Sequence, residues 1–186
     1  MKKEYDGYTV VPYPPVRKMT ADILELAHRK HMIHAFVEVD VTRARRFIRE
    51  YEAETGGDLS FTAFVLTCLG RAVARNKYMH AYRNWRNQLV IFDKVDVNML
   101  FEVEVDGRKT IRPHIIRAVN KKSVLEIHQE IRAFQNQHQD SQESKFIEWF
   151  VRLPGFVRRL FLRILLKKSQ LVKDYYGTVL VTSIGM

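Results

Sequence analysis

The stretch Gly177-Thr178-Val179-Leu180-Val181-Thr182-Ser183-Ile184-Gly185-Met186 constrains this chain more than any other. A glycine opens it, and an apolar, β-branched run follows with no charge on either face. A run apolar on both faces reads as a strand buried in the middle of a sheet. Two hydroxyls, Thr182 and Ser183, stand just before a second glycine. At the end of a buried strand they are placed to face a cleft. A central strand seldom ends a chain, so we expect the natural protein to continue past Met186.

The rest of the chain must supply the sheet and its cover. Its 186 residues suit one domain with a sizeable core. Hydrophobic content of 46% with 28% charged residues excludes a disordered chain. A formal charge of +10, from 31 Lys and Arg against 21 Asp and Glu, implies attraction to a polyanion: nucleic acid, anionic lipid or a phosphorylated ligand. Cys68 is the only cysteine, so no intramolecular disulfide forms, and its apolar helical surroundings predict a small buried thiol. The N-terminus lacks the apolar core of a signal peptide, and no apolar run is long enough to span a membrane. The expected location is intracellular, in the cytoplasm.

Residues 1–13 read as a polar lead containing a short β-prone piece, Tyr8 to Val11. Pro14 and Pro15 open a helix from about Val16 to Lys30, with Met19, Ile23, Leu26 and Ala27 on its apolar face. Met32 to Val41 alternates apolar and polar residues and predicts a strand with one dry face. Thr42 then caps a helix from Arg43 to Glu54 that Gly56 and Gly57 end. Ser60 caps the next, whose stripe is Phe61, Phe64, Val65, Cys68, Leu69 and Val73. Leu89 to Phe92 and Val95 to Val105 predict strands, and Asp106-Gly107 turns the chain into a return strand, Thr110 to Val119. Pro113 cannot donate to a ladder, so it marks an edge, a bulge or a bend. A helix carrying Val124, Ile127, Ile131 and Phe134 decays into a polar link from Gln135 to Gln142. A short apolar helix, Phe146 to Val151, ends at Pro154-Gly155, and a basic helix runs on to about Lys168. Helices mixed with one clear hairpin give a fold class of α/β or α+β with a mixed sheet.

Three clusters invite a functional reading. The basic helix has Phe156, Val157, Leu160, Phe161, Ile164 and Leu165 apolar, against Arg158, Arg159, Arg163, Lys167 and Lys168. It packs its apolar face on its own domain or a partner with the cations solvated, or it lies on an anionic membrane, an option that Trp149 and Phe150 favour. His28, His31 and His34 are spaced by three, but the last falls in the expected strand, so no metal site is assigned. Tyr78, His80, Tyr82, Arg83, Trp85 and Arg86 interleave aromatics with cations as a nucleic-acid face does. No nucleic-acid signature accompanies them, and Trp85 serves equally as a core anchor, so nucleic acid is not taken as a partner. There is no nucleophile elbow, no P-loop and no dinucleotide glycine motif.

The order of several stretches resembles the catalytic domain of the 2-oxoacid dehydrogenase acyltransferases, which share the fold of chloramphenicol acetyltransferase. Pro15-Val16-Arg17-Lys18 resembles the family's P-L-R-K opening, and Glu38-Val39-Asp40-Val41-Thr42 its E-V-D-V-T. Leu59 to Phe64 resembles L-T-F-x-A-F, and Met79-His80-Ala81 stands where L-N-A is frequent. Pro113 to Ala118 resembles P-V-I-R-x-A, Lys121 to Ile127 resembles K-K-S-L-x-E-I, and Gly177 to Gly185 resembles G-G-T-F-T-I-S-N-L-G. The resemblance covers most of residues 14–186, taken as an acyltransferase catalytic domain that is incomplete at its C-terminus.

The resemblance implies transfer of an acyl group between coenzyme A and a thiol acceptor such as dihydrolipoamide, on a homotrimer served by a lipoyl-carrying partner. It places the oxyanion-donating hydroxyl at Thr182, with Ser183 beside it, because the family's serine falls there. It gives Arg17 the part of an arginine that holds the aspartate of the H-x-x-x-D-G motif and so orients the general-base histidine. None of the seven histidines is followed by that pattern, so the base and its aspartate are absent from these 186 residues. The chain alone is therefore expected to be inactive, and no residue is assigned to coenzyme A. The segment from about Asp140 to Lys173 is longer than the family's. The other readings are an assembly or binding module on the same fold, and a basic membrane-surface protein.

Overall fold

The computed structural model describes residues 3–11, 13–28, 31–105, 108–136, 150 and 152–183. The chain forms two compact units where the sequence shows no boundary: residues 1–35 with 139–166, and residues 36–138 with 167–186.

In the first unit, β1 (Lys3–Tyr5) and β2 (Tyr8–Val10) form an antiparallel hairpin, with Tyr5 stacked on Tyr8 at 4.9 Å. Helix α1 (Pro15–Ala27) starts on its proline, whose missing N–H would have no partner there in any case. Helix α5 (Gly155–Lys167) packs Leu162 against Leu26 and Phe150, with Ile23, Leu153 and Leu166 around them. The Phe146 to Val151 helix falls almost wholly outside the described residues.

The second unit carries a short antiparallel pair, β3 (Tyr82–Arg83) and β4 (Leu89–Val90), and the main core. Strands β5 (Val97–Val105) and β6 (Arg108–Ile116) pair antiparallel, and β7 (Val179–Thr182) runs parallel to β5 on its other side. The expected Asp106-Gly107 turn lies outside the described residues; on either side of it Val105 pairs with Arg108. Val97, Met99, Phe101 and Ile116 bury one sheet face against Ala63, Leu66 and Val73 of α3 (Phe61–Arg75) and Ile127, Ile131 and Phe134 of α4 (Val124–Asn136). Each of these side chains larger than alanine contributes about 1.5–3 kcal/mol by leaving water. Ser60 caps α3 by accepting from the Ala63 N–H at 3.4 Å, as its position predicts. Ser123 and Glu126 cap α4 reciprocally at 2.7 and 3.2 Å. Helix α2 (Thr42–Thr55) ends at Gly56, whose φ of 66° is the left-handed conformation a glycine adopts without cost. Pro113 lies on β6, an edge strand among the described residues, where its missing donor does no harm.

Several expectations fail for physical reasons. Met32 to Val41 is irregular, not a strand, and Ile33 and Phe36 are 99% exposed. An alternating strand holds only if a sheet edge and an apolar layer receive it, and no described strand lies alongside. Thr42 is not the cap of α2 but its first helical residue: Val41 holds the N-cap position with no side-chain cap, and Asp40, just before it, accepts the Thr42 N–H at 2.8 Å. The buried face of α3 is Ala63, Leu66, Thr67, Gly70 and Val73, leaving Val65 and Cys68 exposed. Close approach selects that face: a Cβ on Gly70 would stand 2.8 Å from Val119 Cγ1 and 3.1 Å from the Asn120 nitrogen. Small residues, not the bulkiest ones, therefore define the contact. Finally, β7 is the edge of the order β6-β5-β7 among the described residues, not a central strand, and Leu180 is 64% exposed.

Candidate functional site at the end of β7

The site is built where β5 begins. Gly177 and Thr178, the opening of the C-terminal motif, dock onto Asp96. The Thr178 and Val179 N–H groups donate to the Asp96 carbonyl at 2.7 and 3.1 Å, and Thr178 Oγ1 accepts the Asp96 N–H at 3.1 Å. Gly177 has φ of 71°, and a Cβ there would stand 2.7 Å from the Asp96 carbonyl oxygen. Only glycine fits both the conformation and the space. Tyr82 donates its hydroxyl to the Gly177 carbonyl at 3.3 Å.

The Asp96 carboxylate, 1% exposed, gathers the surrounding elements. It accepts from the Ala118 N–H at 2.8 Å, from Lys173 Nζ at 2.9 Å and from Arg117 Nη1 at 3.1 Å. Arg117 also donates to the carbonyls of Lys173 at 3.1 Å and Asp174 at 2.5 Å, closing the C-terminal turn of α6 (Ser169–Tyr176). A cation at that end also offsets the helix dipole. Burial pushes the Asp96 carboxyl up, but the Ala118 N–H, Lys173 and Arg117 together outweigh it and leave it below its ordinary range. This cluster fixes the crossover into β7. Helix α6 and the cluster escaped the sequence reading. The available signal was a lone aspartate opening an apolar strand run, Val95-Asp96-Val97.

Thr182 and Ser183 follow from that anchor. Val179 and Val181 pack on the core, so the alternation of a strand turns Leu180 and Thr182 to the opposite face. Thr182 pairs in register with Leu100, and both Thr182 and Ser183 are exposed. Ile184 to Met186 lie outside the described residues. Arg17 is exposed on α1, in the first unit, whereas the two hydroxyls belong to the second.

The remaining clusters divide. His80 is 3% exposed, packed edge-on against Phe92, with Tyr82 on the same ring. Burial pushes its imidazole down, against the opposing pull of the Phe92 carbonyl and Asp96. Tyr78 is 73% exposed, and Trp85, 71% exposed with Arg86 over its ring, is no core anchor. The candidate nucleic-acid face is thus split between interior and surface. His28, His31 and His34 are exposed, with His34 on irregular backbone, and no described His, Cys, Asp or Glu residues form a metal-binding group.

The second unit is thus a mixed α/β architecture: a sheet with helices packed on one face, and a strand opened by glycine and threonine that ends in exposed hydroxyls. Residues 5–145 match the family model of the 2-oxoacid dehydrogenase acyltransferase catalytic domain, so the chain belongs to that family. Its backbone resembles a truncated catalytic core of the 2-oxoacid dehydrogenase multienzyme complex from Thermoplasma acidophilum, at 18% identity and a TM-score of 0.53, covering 70% of this chain and 61% of that one. It also resembles a probable dihydrolipoamide acetyltransferase from Listeria monocytogenes, at 20% identity and a TM-score of 0.59, covering 74% of this chain and 60% of that one. The chain thus spans about three-fifths of the length of these relatives. No curated protein matches it.

Proposed function

We propose that the protein takes part in coenzyme A-dependent acyl transfer to a thiol acceptor such as dihydrolipoamide, and that this chain supplies the oxyanion side of the site. The observation that carries the reading is the anchor of β7: the Asp96 cluster fixes Gly177 and Thr178, and Thr182 stands exposed four residues on, turned away from the core. In the reaction an acceptor thiolate attacks the thioester carbonyl, its oxygen becomes an oxyanion, and collapse expels the coenzyme A thiolate. A hydroxyl held at that oxygen is worth about 3 kcal/mol in the transition state. Threonine keeps the donor O–H of the family's serine. The reading also requires a general-base histidine and an aspartate that orients it, which residues 1–186 do not present as H-x-x-x-D-G, and it gives Arg17 the positioning of that aspartate. The net charge of +10 suits the coenzyme A phosphates. Trimeric assembly, a lipoyl-bearing partner and a cytoplasmic location belong to the same proposal.

Thr182→Val and Thr182→Ser in the full-length natural protein test the assignment. Valine should lower kcat about 10²-fold with KM nearly unchanged, and serine should keep most of the rate. An unchanged kcat in Thr182→Val would remove Thr182 from the reaction.

A further inference from the structure

The sequence leaves two readings of α5: its apolar face packed on its own domain or a partner with the cations solvated, or the helix lying on an anionic membrane. In the structure Arg158 and Arg159 turn toward α1, while Arg163 and Lys167 stay exposed. Arg158 Nε meets Asp22 Oδ2 at 2.6 Å in a largely buried pair, and Arg159 Nη1 meets Glu25 Oε2 at 2.7 Å, both on α1. Leu162 and Leu166 fill the inner face with Leu26 and Ile23. The outer face carries Phe156, Leu160 and Ile164, exposed by 69%, 56% and 54%, with Phe161 beside them at 49%. Residues four apart stand one above the other, so the first three form a single apolar ridge along the helix.

What suits that ridge is decided by charge. Arg152, Arg163, Lys167 and Lys168 are all exposed around it, and no Asp or Glu occurs from Trp149 to Lys173. A second copy docking ridge to ridge would bring like charges together, which is unfavourable. An anionic bilayer satisfies both features at once: the apolar side chains enter the acyl boundary, and the long cationic side chains stay at the headgroups. Among the described residues no helix is long and apolar enough to cross a membrane, so such a helix lies on the surface. We propose that α5 is a docking surface for an anionic phospholipid membrane, seated through Phe156, Leu160 and Ile164.

Flotation of the full-length protein with phosphatidylcholine vesicles, with and without phosphatidylglycerol, tests this. The protein should float with the anionic vesicles at low salt, and at least about tenfold less with pure phosphatidylcholine or at high salt. Phe156→Ser combined with Leu160→Ser should reduce flotation by about tenfold or more, with the melting temperature unchanged because both side chains are exposed. Arg163→Glu combined with Lys167→Glu gives an independent second readout and should show the same loss. Three outcomes would overturn the proposal: no flotation with anionic vesicles at low salt, flotation that survives the apolar substitutions, or those substitutions abolishing self-association in protein that never floats.

Discussion

Asp96 is the residue on which most of the described site depends. Its carboxylate receives two cations and a backbone N–H within one buried volume, so removing its charge leaves Lys173 and Arg117 facing an amide. Breaking a buried pair of this kind costs about 3 kcal/mol, and Asp96→Asn should lower denaturant stability by that order. The pH dependence has a definite sign. A carboxyl held below its ordinary value in the fold contributes stability that is present above the usual carboxylate range and is lost as pH falls through the folded value. His80 acts higher on the pH scale. Its burial favours the neutral ring, so the unfolded chain takes up the proton first, and stability should fall as pH drops below about 6.5. His80→Asn, which installs the residue frequent in the family at that place, should flatten the slope of melting temperature against pH below about 6.5. An unaltered slope would assign it to other groups. The hydroxyl proposed as oxyanion donor and the arginine proposed with it stand out in the sequence only by resemblance, whereas Asp96 is not visible at all. Its partners, at positions 117, 118, 173 and 178, are brought together by the fold and share no local spacing.

Among the elements, β7 shows how a short motif is fixed in place. The glycine-threonine pair makes the join to β5, and the strand that follows only has to alternate. Gly177→Ala should cost about 2 kcal/mol or more, since it forces a side chain into the left-handed region and against the Asp96 carbonyl. If Gly177→Ala melts like the parent, the anchor is not formed as described. Elements whose ends carry their own chemistry were legible: the proline start of α1, the serine cap of α3, the glycine end of α2 and the edge proline of β6. Elements that depend on a distant receiver were not. Met32 to Val41 has the pattern of a strand but no described partner, and α3 turns to the face that lets Gly70 approach Val119 and Asn120. Helix α5 is apolar around most of its circumference, so periodicity alone could not say which face goes inward. The carboxylates of Asp22 and Glu25 decide it by taking Arg158 and Arg159.

For the molecule as a whole, the sequence reading reached the mixed sheet with flanking helices and the family, which the match over residues 5–145 establishes. It did not reach the division into two compact units. The first unit joins segments far apart in the chain, through a cluster of α1 and α5 that no local pattern announces. Of the proposed chemistry, this chain presents the hydroxyl end of β7, and the account requires a base from outside it. The most direct measurement follows a labelled acetyl group from acetyl-coenzyme A to dihydrolipoamide, catalysed by the full-length natural protein. Acetyl-dihydrolipoamide and free coenzyme A should appear in equal amounts, at a rate that falls about 10²-fold in Thr182→Val. No transfer by the folded full-length protein to dihydrolipoamide or any other thiol, with either acetyl- or longer acyl-coenzyme A, would contradict the proposed function.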